Sequence, residues 1–362
     1  MLQRVYNFNP GPATLPLPVL EQVQRELLNY KDTGMSVMEI SHRSKEFEEI
    51  IFEAEDLVKE LLGLGEDYQV LFLQGGASLQ FAMVPLNFLS EGMTADYIVT
   101  GYFAEKAYKE AAKIGKVNIA GSSKDTNYDR IVSMEEIKLS DSPAYVHITS
   151  NNTVYGTQWK DFPDFGDIPL VADMSSDIMS YPFDVSKFAL IYAGAQKNLG
   201  PAGVTLVIIR KDMLEKVPEK LPSMLRYDLL AEKRSLYNTP PCFNIYVVNL
   251  VLKWVKENGG LKAMKERNEE KASYIYEAID KSGGFYKGHA KKEYRSIMNV
   301  TFRLPNEELE KLFVKEAAEN GLVGLKGHRS VGGIRASIYN AMSKEGCLAL
   351  AEFMNDFVKK HG

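Results

Sequence analysis

Cysteine is nearly absent: Cys242 and Cys347 are the only two in 362 residues. Two thiols cannot build a disulfide framework, and their spacing matches no metal site. Both therefore read as buried thiols in a reducing cytoplasm, and no metal is expected. No apolar run approaches the roughly 20 residues that a membrane span requires. The opening MLQRVYNFNPGPATLPLP lacks a charged start followed by an apolar core, so it reads as no secretory signal. Positive charge is not in excess either. Lys and Arg number 43 against 48 Asp and Glu, a formal net charge of −5, which argues against a surface built for nucleic-acid phosphates. Internal repeats and low-complexity tracts are missing as well. What is present is an ordinary globular composition, 45% hydrophobic and 25% charged, with 17 Phe, 19 Tyr and 2 Trp ruling out disorder. At about 150 residues per domain, the length predicts two domains.

Residues 19–30 and 44–63 carry apolar positions at helical spacing, the second opening at Ser44 with Glu46 and Glu48 and stopping at Gly63. A short strand at Val70–Leu73, a Gly-Gly turn and an apolar helix follow. ADYIVTG reads as a strand and AEKAYKEAAKIG as a helix; AYVHITS, PLVADMSS, LIYAGAQK and GVTLVIIR read as four further strands. These runs are continuous rather than alternating, as in strands covered on both faces, and they alternate with helices. The prediction is an α/β domain with a mostly parallel sheet over residues 16–260. A smaller α+β domain covers 261–362, joined by the N-terminal segment 1–15. Its expected elements are a long helix at 261–282, the strand RSIMNVTFRL, the helix EELEKLFVKEAAEN, and a closing strand and helix.

The most informative stretch is LIYAGAQKNLGPAG, which puts Gln196 and Lys197 among small residues just after an apolar strand. Alone, Lys197 also fits a solvated loop lysine. Desolvation or a nearby cation would make it a nucleophile able to form a Schiff base. Asp173 ends another apolar strand, where open α/β sheets place ligand-binding residues, although it could equally cap the next turn. It precedes Lys197 by one strand-to-strand excursion, which puts both at one sheet edge. A carboxylate for a protonated pyridine nitrogen and a lysine for an aldehyde are what pyridoxal phosphate needs. In LFLQGGASLQF, Gly75 and Gly76 close a strand and Ala77-Ser78 open a helix whose free N–H groups suit a phosphate. This is neither a dinucleotide glycine fingerprint nor a Walker loop, which counts against a nicotinamide dehydrogenase.

Together these residues resemble the fold-type-I pyridoxal-phosphate enzymes, and more closely the class-V phosphoserine aminotransferases. The likeness runs from NFNPGPATLP through TGMSVMEISHRSKEFEEI, VADMSSDI, YAGAQKNLGPAG and YNTPP to GLKGHRSVGGIRASIYNAM. It implies that Lys197 holds the cofactor covalently and then shuttles the substrate proton, and that Asp173 pairs with the pyridine nitrogen. It implies that Thr153 bonds the phenolic oxygen, and that Ala77, Ser78 and Gln196 hold the phosphate. Asn238 and Thr239 would reach that phosphate from a neighbouring subunit, in a homodimer with shared sites. One position departs from the pattern: the stacking residue is usually tryptophan, and here Phe103 stands in its place. Weaker cofactor retention is expected, unless neighbouring Tyr102 supplies the stack.

Two His-Arg pairs, His42-Arg43 and His328-Arg329, share one chemistry with Arg335, since arginine's planar fork suits carboxylates and phosphates. Separately they could be solvated surface dipeptides. The resemblance implies that Arg335 takes the α-carboxylate, while His42 and Arg43, from across the dimer, join His328 and Arg329 at the distal group. That group is the phosphate of phosphoserine or the γ-carboxylate of glutamate. So many cations favour phosphoserine over alanine or serine, in a cytoplasmic enzyme of serine biosynthesis. Relatives also suggest 4-phosphohydroxy-L-threonine, of pyridoxine biosynthesis, as a substrate. A cysteine desulfurase is disfavoured because neither cysteine lies in a suitable loop.

Overall fold

The structure is a computed structural model that describes residues 4–362, so the first three residues of the expected N-terminal segment lie outside it. Seven strands form the central sheet: β1 (Tyr68–Leu73), β2 (Thr94–Val99), β3 (Lys116–Ser122), β4 (Pro143–Thr149), β5 (Leu170–Asp173), β6 (Leu190–Gly194) and β7 (Thr205–Arg210). Their order is β1-β7-β6-β5-β4-β2-β3. All are mutually parallel except β7, which runs antiparallel to both of its neighbours. Every residue of β2, β4, β5 and β6 is buried, which is why their sequences are apolar without alternation. Edge strand β3 escaped the sequence reading. Paired on one side only, KVNIAGS keeps polar residues and leaves Lys116 and Ile119 exposed, so it carries no apolar run.

Helices cover both faces. The helix Lys45–Leu62 forms where the capping residues predict: Ser44 accepts the N–H of Phe47, and Gly63 closes the last turn at φ +63°. Its buried face packs in one core with the helix Cys242–Glu257. The first helix, expected over 19–30, is Leu17–Glu26. Asn29 turns extended at φ −149° and its side chain accepts the N–H of Gly34 at 2.9 Å. Tyr30 then points inward, edge-on to Tyr246 at 5.7 Å. That tertiary contact overrides the helical periodicity.

A second, antiparallel sheet joins Lys287–Gly288, Asn299–Arg303 and Ile334–Ser337. It shares a core with the helices Gly260–Asp280, Glu307–Glu319 and Lys344–His361. Tyr6–Asn7 pairs parallel with Leu322–Val323, which buries Phe8 in the same core. The architecture is the expected mostly parallel α/β layer with a smaller α+β unit. Among the described residues no helix is long and apolar enough to cross a membrane. Of the two free cysteines, Cys347 is buried as expected but Cys242 is only half-buried, because it opens its helix.

Candidate active site

The site gathers where parallel strands end. β5 finishes on Asp173, and its register partner on β6 is Tyr192, so Lys197 leaves the sheet alongside Asp173. β4 runs into the hairpin Asn151–Asn152 with Thr157–Gln158, whose turn carries Thr153. Lys197 Nζ donates to Thr153 Oγ1 at 2.7 Å. The same ammonium lies 5.0 Å from the Phe103 ring centroid. Tyr102 instead packs against His328, ring centroids 4.9 Å apart. Of the two aromatic candidates, therefore, Phe103 is the one beside Lys197.

The charges of this pocket oppose one another. Asp173 is buried, which raises its pKa, while the charge of Lys197 lowers it; Oδ1 also accepts the N–H of Ser175 at 2.9 Å. Burial pulls Lys197 down to about 8, against the charge of Asp173 and with help from Arg335. Nearby Asp177, which no motif singled out, is pushed up to about 6 by burial; its carboxylate accepts from Ser150, Tyr181 and Gln158. Gly11 also went unnoticed. A Cβ there, at φ +143°, would stand 3.2 Å from Lys197 Cγ, so only glycine lets the N-terminal segment lie across the lysine.

β1 leads through Gly75 (φ +87°) and Gly76 (φ +63°) into the helix Gly76–Phe88, whose first turn holds Ala77 and the exposed Ser78. A Cβ on Gly75 would meet Leu79 Cβ at 2.6 Å, so the turn demands glycine and leaves the first N–H groups open. Asn238 Nδ2 donates to Gln74 Oε1 at 3.2 Å, next to this turn and within the same chain. Thr239 is exposed, and Gln196 is half-buried with its carbonyl accepting the N–H of Ala13 at 2.9 Å.

Arg335 sits on the strand Ile334–Ser337 and is buried, yet its Nε has no hydrogen-bond partner. An unpaired buried guanidinium costs free energy that an incoming carboxylate would recover. His328 is pushed down by burial and by the charges of Arg335, Arg329 and Lys106. Lys106 is the cation that the sequence reading missed. It lies four residues into a helix as an unremarkable exposed lysine, with Nζ 4.9 Å from the Tyr102 ring centroid. His42 is half-buried and Arg43 exposed; among the described residues, neither side chain hydrogen-bonds to the His328 loop.

A pyridine ring with an aldehyde and a phosphate fits this donor set. The amine lies beside the buried acid and the flat Phe103 face, and the open helix N-terminus stands at the same edge of the sheet. The class-V aminotransferase profile matches residues 5–350. A phosphoserine aminotransferase of Geobacillus kaustophilus is 61% identical over 359 residues, which is 99% of each chain. One from Desulfatibacillum aliphaticivorans is 61% identical over the whole of both chains. Among solved structures, the phosphoserine aminotransferase of Bacillus circulans subsp. alkalophilus superposes with a TM-score of 0.98 at 57% identity, covering 99% of each chain. The pyridoxal-phosphate-bound enzyme of Trichomonas vaginalis gives 0.92 at 40% identity, over 97% of this chain and 99% of that one. Likeness of this extent, continuous along the chain and not confined to the motifs, makes the protein a member of the class-V aminotransferases, in their phosphoserine aminotransferase family.

Proposed function

We propose that the chain exchanges an amino group between glutamate and 3-phosphohydroxypyruvate, giving 2-oxoglutarate and O-phospho-L-serine for serine biosynthesis. Bound pyridoxal phosphate supplies the aldehyde that takes up the amino group and the ring that withdraws electrons from Cα. Lys197 would hold that aldehyde and, as a free amine, would take the proton from Cα and return it after the transfer. Its lowered pKa supports this, since only the neutral amine attacks a carbonyl or accepts a proton. Asp173, buried opposite a positive charge, pairs with the pyridine nitrogen and keeps it protonated. Thr153 bonds the phenolic oxygen where it now accepts from Lys197. Phe103 stacks on the ring. Ala77, Ser78 and Gln196 hold the cofactor's phosphate.

Arg335 takes the α-carboxylate, and His328, Arg329 and Lys106 receive the distal anion. A dianion there relieves the mutual repulsion that depresses His328, so these cations favour a phosphate. The phosphate of 4-phosphohydroxy-L-threonine, of pyridoxine biosynthesis, suits the same cations. His42, Arg43, Asn238 and Thr239 complete the site in a homodimer, the first two from the partner subunit and the last two reaching its phosphate. Exposed Leu28, Met35 and Met38, in the stretch just before His42, support such an interface. The free thiols support a cytoplasmic location. We further place the boundary between large and small domains at residue 260, residues 4–15 belonging with the small one.

The contact between Lys197 and Thr153 beside Phe103 and Asp173 carries the reading. Its test is the visible spectrum of the holoenzyme. Glutamate should bleach the cofactor band and 3-phosphohydroxypyruvate restore it, while Lys197→Ala should abolish turnover. A band indifferent to glutamate, or full activity in that variant without added amine, refutes the assignment.

A further inference from the structure

Lys197 is followed by a residue that none of the expected site chemistry uses. Asn198 is buried, and its two side-chain atoms reach in different directions. Nδ2 donates to the carbonyl of Ile178 at 2.6 Å, and Oδ1 accepts the backbone N–H of Asn340 at 2.9 Å. Asn340, also buried, donates through Nδ2 to the carbonyl of Met179 at 2.7 Å and accepts from Asn268 at 2.7 Å. Ile178 and Met179 belong to the turn that leaves Asp173. Met179 is a buried non-glycine residue at φ +61°, a conformation that persists only where its surroundings over-determine it. The two asparagines hold the carbonyl of that residue and of the one before it.

The same contact reaches the substrate anchor. Asn340 lies five residues beyond Arg335, on the segment that continues its strand. That segment is fixed by Lys271, one turn along its helix from Asn268 and fully buried. Its Nζ donates to the carbonyls of Ile338, Tyr339 and Met342 at 2.9, 2.7 and 3.1 Å. These carbonyls match the three donors of the protonated amine, against the burial that pushes its pKa down to about 7. A continuous buried path thus joins the Lys197 loop, the turn after Asp173 and the strand bearing Arg335.

We infer that Asn198 and Asn340 are positioning residues that set the distance between the Lys197 amine and the Arg335 guanidinium. This rests on the reading that Arg335 takes the α-carboxylate. Every amino-acid substrate needs Cα held beside the amine while its carboxylate lies on Arg335, and small misplacements are costly in such sites. The effect should therefore be common to all substrates, whatever their distal group. It should differ from the effect of distal cations, which separate phosphorylated from unphosphorylated ones.

The test uses the holoenzyme and two variants that approach the contact from opposite sides, Asn198→Ala and Asn340→Ala. Half-reactions are followed with glutamate, O-phospho-L-serine and L-alanine, the last having no distal anion. Each variant should raise the KM of all three by a shared factor of about ten, the order expected for one or two lost buried hydrogen bonds. KM values unchanged beside a lowered melting temperature would make the contact structural and overturn the inference. So would a rise confined to the substrates with a distal anion, or failure of both variants to fold. If only one folds, its three KM values decide. A wild-type enzyme that transaminates none of the three refutes the proposed function itself. Wild-type turnover with unaltered variants refutes only the positioning role.

Discussion

The titration of Lys197 gives the sharpest test of the site, because its pKa decides when the amine can bond an aldehyde. Burial holds it at about 8 instead of the ordinary 10.5. At pH 7 about a tenth of the side chain is then neutral, against about 0.03% for an unperturbed lysine, roughly a 300-fold difference. Cofactor-free protein mixed with pyridoxal phosphate should therefore take it up about ten times faster per pH unit up to pH 8, and level off above it. The growth of visible absorbance reports the rate. Asp173→Asn adds a signed control. The Asp173 charge raises the Lys197 pKa, so removing it should move the break to lower pH. The same shift makes a stability prediction. In the cofactor-free protein the folded state sheds a proton near pH 8 that the unfolded chain keeps to pH 10.5, so stability rises with pH across that window. The ceiling is about 3 kcal/mol, reduced by the partial exposure of the side chain, and Lys197→Met should lack the rise. Uptake that keeps accelerating past pH 10, or a break that moves upward in Asp173→Asn, would refute the reasoning.

Lys271→Met removes a side-chain donor to three buried carbonyls, one whose pKa burial pushes down to about 7, and should cost about 3 kcal/mol in denaturant unfolding after allowance for the desolvation it relieves; a loss under about 1 kcal/mol would mean that the amine is dispensable. Phe103→Trp enlarges the flat face beside Lys197, so cofactor loss on dilution into an aldehyde scavenger should slow about three- to tenfold. An unchanged dissociation rate would remove Phe103 from the stack. Mixing inactive Lys197→Ala with Arg43→Ala should regain activity through hybrid dimers, one of whose sites is intact; no recovery, or a monomer by light scattering, contradicts the shared site.

The parts of the fold legible in the sequence are those written in neighbouring residues. Ser44, Glu46, Glu48 and Gly63 bracket a helix because the groups they satisfy lie within one turn of them. Strands β4, β5 and β6 announce themselves because burial on both faces makes them mostly apolar without alternation. The pairing of Asp173 with Lys197 was legible for the same reason: adjacent parallel strands return the chain to one edge after a single excursion. Edge strand β3 lacked the covering that makes a strand apolar. The segment after the first helix turns at Asn29 and is held by Tyr30 against Tyr246, more than 200 residues away, which the helical periodicity alone does not show.

The site divides along the same line. Residues that touch the cofactor or substrate directly must be of particular types, Lys, Asp, Arg and His, and a reader can search for them. Residues that act through others have no such constraint. Lys106, although of a type that can be searched for, is chemically like any other surface lysine, and only its place above Tyr102 brings its charge to His328. Asn198 and Asn340 lie 142 residues apart. Each alone reads as a polar residue in a loop or after a strand, and no periodicity connects them. Their meaning comes from topology, because one sheet carries Lys197 and Asp173 while the other carries Arg335. A reaction that needs an amine and a guanidinium at one fixed separation must have a contact between those sheets. In this chain that contact is a buried amide beside the reactive lysine. A short polar side chain can do this where an apolar one could not, since it donates to the strained turn and accepts from the neighbouring strand at once.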